Sequence, residues 1–313
     1  MKTSNILNLS VSEKLISLDR YFEEMIDLFN TKKFPKVLLL NGKKGIGKFT
    51  LVIHFLNYIY TQNEKNKYDI KNKKIDINSS FHKKLLNQTN QDVFLIKAEE
   101  NKNIKIDEIR NLKSSLSRTS LSKNSRFTII DEVEFVNENS VNALLKILEE
   151  PSGNNFFILI NNQQANLIKT ISSRCLISNV FLNIIEINKV IDYLIEAKNI
   201  NDLLDFNEGL TPGFFVRFNE IFLSCSLDKN DNIFININKL LKEYKKNKDK
   251  TLINLTLFLI DQFFFDLAKK NKNNLDFLLN TKLSINKNIN DFIYYNLNIN
   301  SVLNSIEIKL NNV

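Results

Sequence analysis

Apolar positions in the first half of the chain fall into short runs separated by amphipathic stretches. Residues 36–40 form one run, closed by Asn41 and Gly42. A glycine-containing loop follows, and then Leu51, Val52, Phe55, Leu56 and Ile59 recur at the spacing of one helical face over residues 48–60. The order is strand, loop, helix. Further runs at 92–96, 126–130, 156–160 and 176–181 read as strands. Between them Ile106, Ile109, Leu112 and Leu116 form a stripe on a helix predicted to end near Arg118. Val141, Leu144, Leu145 and Leu148 form another, on a helix predicted to be capped by Asn139 and ended by Pro151 and Gly153. A short helix is expected over 167–171. Residues 63–90 are polar, rich in Lys and Asn and aperiodic, and read as an extended or partly helical insertion. Strands alternating with amphipathic helices predict a parallel sheet covered on both faces, since each crossover lays a helix against the sheet.

Beyond about residue 183 the strand pattern stops. Spacing at Val190, Ile191, Leu194 and Ile195, and over 214–222, 240–244, 252–267 and 285–310, predicts helices, with turns at Gly209 and at Pro212 and Gly213. These shifts predict three domains: an α/β nucleotide-binding-type domain over 1–180, a small helical lid over 181–225 and an all-helical domain over 226–313. Over 252–267 apolar residues surround most of the helix, more than one buried stripe requires. Either part of that surface meets another chain or the helix is enclosed by its own domain. Asn254, Thr256, Asp261, Gln262 and Asp266 break the run, so it does not read as a membrane span.

Composition narrows the picture modestly. A chain of 313 residues has room for two or three domains with a sizeable core. With only 6 Gly and 3 Pro, collagen-like and Pro/Gly-rich disordered classes are excluded. The 43 Lys and Arg against 35 Asp and Glu give +8, which suits a partner carrying phosphates; a Lys-rich genome accounts for it equally well. Cys175, Cys225, His54 and His82 are too scattered to form a four-ligand zinc cluster, and so few cysteines fit a reducing cytosol. The first ten residues lack the basic-then-apolar pattern of a leader. A cytoplasmic chain with no membrane partner is expected.

Candidate chemistry lies at the carboxyl ends of the predicted strands. Gly42, Gly45, Gly47 and Lys48 fit the phosphate-loop pattern Gly-x-x-x-x-Gly-Lys between a strand and a helix. Glycines let backbone N–H groups turn inward around phosphates, the helix directs its positive end at them, and Lys48 reaches the outermost ones. The plainer reading is a glycine-rich turn without nucleotide. The hydroxyl that ordinarily follows the lysine and holds magnesium is replaced by Phe49. Thr50 comes one residue late, about 100 degrees around the helix. Asp131 and Glu132 end a buried strand, where the first carboxylate can hold magnesium and the second polarise water. Asn161 or Asn162, at the next strand end, can sense a terminal phosphate, or is an ordinary loop amide in an Asn-rich chain.

Three blocks together resemble a family: Ile129 to Glu132, then Ser140 to Pro151 with Ala143, Leu144, Leu145, Lys146, Leu148, Glu149 and Glu150, then Ser173, Arg174 and Cys175. They look like the ATPase domain of clamp-loader subunits in the AAA+ superfamily. Within that family the chain resembles the bacterial DNA polymerase III delta-prime type more than the ATP-hydrolysing motor, which has an intact magnesium hydroxyl and a four-Cys zinc module. Here Phe49 breaks the first, and no Cys precedes Cys175 to supply the second. Many delta-prime chains also carry that module, so residues 63–90 stand in its place. Only Arg217 lies near the turn Thr211 to Phe215, where motor subunits carry a nucleotide-sensing arginine.

The resemblance implies an AAA+ sheet domain, a helical lid and a helical collar joined to other subunits, for which the 252–267 helix is the candidate. It implies ATP with magnesium bound weakly or not at all, no zinc, and an own ATPase site that is defective. Implied partners are the motor ATPase and delta-like subunits, the sliding clamp through the assembly, and primed DNA. Arg174 is implied to project to a neighbour's phosphates as a trans arginine finger, with Cys175 as small packing. The rival within the family is the motor subunit. A rival of another class is a DNA-unwinding AAA+ motor, which needs an intact nucleotide site and a DNA-binding C-terminal domain.

Overall fold

The structure is a computed structural model describing residues 11–98, 103–117, 125–151, 153–198, 200, 210–270 and 274–313. Helix α1 (Asp19–Asn30) leads into β1 (Val37–Asn41), the glycine-rich loop and α2 (Lys48–Thr61), then α3 (Ser80–Leu86). The elements β2 (Val93–Lys97), α4 (Ile106–Ser117), β3 (Arg126–Asp131), α5 (Glu138–Glu149), β4 (Asn155–Asn161), α6 (Lys169–Ser172), β5 (Leu176–Asn179) and α7 (Ile184–Lys198) follow. All strand pairs are parallel, in the order β2-β3-β4-β1-β5. This is the parallel α/β sheet expected from the alternating pattern.

Strands β1, β3 and β4 are buried on both faces, which is why they read as unbroken apolar runs, whereas the edge strand β5 is largely exposed. Side chains still alternate between two cores. Leu38, Leu40, Phe127, Ile129, Ile158 and Ile160 join one with Phe22 of α1 and Leu51, Val52 and Phe55 of α2. Val37, Leu39, Ile130, Phe157 and Leu159 join the other with Ile109 and Leu112 of α4 and Val141, Leu144 and Leu148 of α5. The register sets Asn41 level with both Asn161 and Asn179, so the carboxyl ends of β4, β1 and β5 lie side by side.

Several local expectations are corrected. The cap of α5 is Asn137, whose side chain accepts from Ser140 N at 2.8 Å, while Asn139 is exposed inside the first turn. Strand β5 stops at Asn179, and the short helix before it is Lys169–Ser172. Helix α1, not anticipated, buries Tyr21, Phe22, Met25 and Ile26. The expected helix end near Arg118 and the turn at Gly209 lie outside the described residues. The Lys- and Asn-rich segment holds α3 and is packed into the core through Tyr68, Ile75, Phe81 and Leu85. His54, on α2, ties it down: its Nε2 donates to Ser12 O at 3.0 Å, which leaves Nδ1 to accept from the Tyr68 hydroxyl at 2.9 Å.

Two compact units are present, one comprising the described residues up to Ile200 together with 210–215, the other Val216–Val313. The segment 181–225, read from the sequence as a separate lid, is thus shared between them. The chain continues through α8 (Pro212–Ser224), α9 (Ile233–Asn247), α10 (Lys250–Lys270), α11 (Leu275–Tyr295) and α12 (Ile299–Asn311). The helix expected over 285–310 is two helices: Asn296, at φ 50, ends α11, and Asn298 caps α12 by accepting from Asn300 N. Among the described residues α10 alone is long and apolar enough to cross a membrane by length and composition. In the second unit Leu252, Ile253, Leu255, Thr256, Ile260 and Phe264 of α10 are buried, and the helix packs on α9 and α11.

Candidate nucleotide-type site

The loop between β1 and α2 takes its shape from its glycines. Gly45 and Gly47 have φ of 85 and 96 degrees, a region that costs any side chain strain. Gly47 caps α2, so Lys48 begins the helix and is drawn inside. Its Nζ donates to Gly42 O at 2.7 Å and Lys43 O at 2.8 Å. Burial pushes the Lys48 ammonium down to about 8, outweighing the attraction of Asp131 and Glu134. Phe49 packs half-buried against the α1/α2 core, and Thr50 is buried one residue further along α2.

The acidic pair stands beside this loop. Asp131 ends β3 and Glu132 follows in the left-handed region. Asp131 Oδ1 accepts from Glu132 N at 3.0 Å and Asn162 Nδ2 at 3.2 Å, and Oδ2 faces Lys97 Nζ at 3.3 Å. Glu132 Oε1 accepts from Lys44 Nζ at 2.8 Å, and the same ammonium reaches Gln164 Oε1 at 3.0 Å. Each carboxylate of the pair therefore has a lysine of its own chain as counter-ion. Magnesium prefers near-octahedral oxygen ligation. Here the loop hydroxyl is replaced by Phe49 and both carboxylates already face ammonium groups, so the donor set does not match a magnesium triphosphate.

Two neighbours of the site, Lys97 and Glu134, escaped the sequence reading, and a third, Thr211, was read only as part of a turn. Lys97 ends β2 in register with Asp131, which only the strand order reveals. Glu134, in the turn after β3, is buried; its Oε1 accepts from Asn162 N at 3.0 Å and Gln164 N at 3.4 Å. Among the described residues its Oε2 meets no donor, and burial raises its carboxyl above the usual range. Thr211 donates its hydroxyl to Lys44 O at 2.8 Å. The two strand-end asparagines divide: Asn161 Nδ2 donates to Asn41 Oδ1 at 2.9 Å, whereas Asn162 is the one that reaches Asp131.

Gly42, Gly45, Gly47, Lys48, Asp131 and Glu132 thus gather in one place, and Arg174 belongs to another. It follows α6, about one-third exposed, and its Nε donates to Glu149 Oε1 at 2.8 Å and Nη1 to Thr170 O at 2.9 Å. Cys175 donates to Ile171 O, and burial pushes its thiol up to about 11, away from nucleophilic use.

A family model described as "DNA polymerase III, delta subunit" matches residues 18–182. The delta-prime subunit of DNA polymerase III from Pseudomonas aeruginosa is 39% identical over 28% of this chain and 27% of its own. That from Buchnera aphidicola subsp. Schizaphis graminum is 30% identical over 49% and 45%. A crystal structure of a gamma subunit-related protein from Thermotoga maritima superposes with TM-score 0.48 at 17% identity, covering 94% of this chain and 97% of that one. The chain spans about half or less of the length of the curated relatives it matches.

Proposed function

The chain belongs to the DNA polymerase III delta-subunit family, and from that premise we propose that it acts as the delta-prime-like subunit of the clamp loader, helping to load the sliding clamp onto primed DNA. Its partners in this reading are a motor ATPase and a delta-like subunit, and its place is the cytoplasm. It contributes little ATP turnover itself. The observation that carries this is the contrast within one unit: an own site whose acids are held by Lys44 and Lys97, and an exposed Arg174 behind α6. Delivered to a neighbour's nucleotide, a guanidinium stabilises charge developing on the transferred phosphoryl group. Glu149 holds Arg174 ready, in a half-exposed ion pair that is cheap to break. The motor reading is weaker, because Phe49 and the paired acids disfavour hydrolysis in this chain.

Arg174→Ala in the reconstituted loader tests the reading. Steady-state ATPase and clamp loading on primed DNA should fall at least about tenfold, a floor well below the roughly 10³- to 10⁵-fold a donated arginine supplies. Arg174→Lys should fail likewise, since an ammonium lacks the planar fork. Arg217→Ala is the control; Arg217 pairs with Glu220 and Asp249 in the helical unit. Unchanged rates in the Arg174→Ala complex would remove the trans role.

A further inference from the structure

The outer turn of the glycine-rich loop is gripped by a segment from much later in the chain. Thr211 donates its hydroxyl to Lys44 O, and Gly213 N donates to Gly45 O, each at 2.8 Å. Thr211 is buried, and Phe215, fully buried, donates its N–H back to Thr211 O. The two backbones meet so closely that neither glycine has room for a Cβ. One on Gly45 would lie 2.4 Å from Thr211 Oγ1, and one on Gly213 would lie 2.7 Å from Gly45 Cα. Pro212 starts α8 and fixes its own φ, so the gripping turn is stiff.

The grip falls on carbonyls. A phosphate loop binds anions with inward N–H groups, which leaves carbonyls such as these to be satisfied elsewhere. Inside the loop, Lys48 Nζ is bonded to the Gly42 and Lys43 carbonyls, and Lys44 is held by Glu132 and Gln164. Two loop lysines and two outer carbonyls thus have intrachain partners. In a loop that relies on nucleotide for order, bound phosphates supply much of this restraint.

We infer that the 211–213 turn is a built-in brace, and that with Lys44 and Lys48 it makes the glycine-rich loop a self-liganded structural joint, ordered independently of nucleotide. The inference rests on reading this loop as a nucleotide-type loop, not on the clamp-loader assignment. Its failure would leave the role of Arg174 untouched.

Hydrogen exchange on the full chain tests it, with and without millimolar ATP and magnesium as the probe. Amides of residues 44–47 should exchange at least about 100-fold slower than an unstructured peptide without nucleotide, and change less than about twofold on its addition. Thr211→Val keeps the shape but removes the donor to Lys44 O, and should speed loop exchange about tenfold while β1 stays protected. Gly213→Ala, which forces a Cβ against Gly45, should do the same. Wild-type loop amides that exchange freely until ATP is added would overturn the inference. So would undiminished protection in a folded Thr211→Val protein. If a variant fails to fold, the wild-type comparison alone decides.

Discussion

Phe49 fills the position where a phosphate loop ordinarily carries its magnesium hydroxyl, and its ring packs against the α1/α2 core. Restoring the hydroxyl should not by itself restore a magnesium site, because the nearby acids face ammonium groups, Glu132 that of Lys44 and Asp131 that of Lys97. Phe49→Ser should therefore leave ATP turnover at the wild-type level while costing about 1–3 kcal/mol of stability from lost packing. A steady-state ATPase assay beside a denaturant titration checks both halves, and a gain in turnover would show that the lysine pairs yield readily. At this scale the sequence reveals residue types but not their aim. Spacing after the buried strand marks Asp131 and Glu132 as candidates, yet nothing local tells Asn162, which reaches Asp131, from Asn161, which turns to Asn41. Lys97 and Glu134 were invisible for the same reason: one is set by strand order, the other by a tight turn.

Elements show where local signals suffice and where they drown. Strands buried on both faces announce themselves as apolar runs, and β1, β2, β3 and β4 lie within a residue or so of the expected bounds. Helix ends are harder in an Asn-rich chain, because asparagine is both a cap and a common filler. Asn139 looked like the cap of α5 and Asn137 is the cap; Asn296 and Asn298 break what read as one helix. Asn137→Ala should cost about 1 kcal/mol in a denaturant titration and Asn139→Ala less than about 0.5. Equal costs would return the cap to Asn139. The insertion carries its own test through His54, whose burial pushes it down to about 4. Above about pH 6.5 both folded and unfolded chains hold it neutral. As pH falls below that, only the unfolded chain takes up the proton, so stability declines until about pH 4. Between pH 7 and 5 this removes about 2 kcal/mol, and His54→Gln should flatten that part of the urea-midpoint profile. A wild-type profile level from pH 7 to 5 would mean that His54 titrates normally.

For the whole molecule, the helical unit presents half-exposed Leu275, Phe277, Leu279 and Leu283 on α11 and Phe265 on α10. Of these only Phe265 lies on the 252–267 helix, the collar candidate; the α11 residues are further apolar surface in the same unit. Phe265→Asp with Phe277→Asp, both at exposed positions, should leave the chain folded but no longer able to join motor and delta-like subunits at micromolar concentration on size-exclusion chromatography; undiminished assembly would withdraw the collar assignment. The contact between Gly45 and Gly213 bears on how the molecule is made. The two glycines are separated by more than half the chain, and every strand of the sheet is complete before the second is translated. At ribosomal speed the brace trails the loop by on the order of ten seconds. Through that interval the nascent loop has its full glycine motif and none of its outer bonds, so the segment that reads most plainly in the sequence is among the last in its unit to take its final shape.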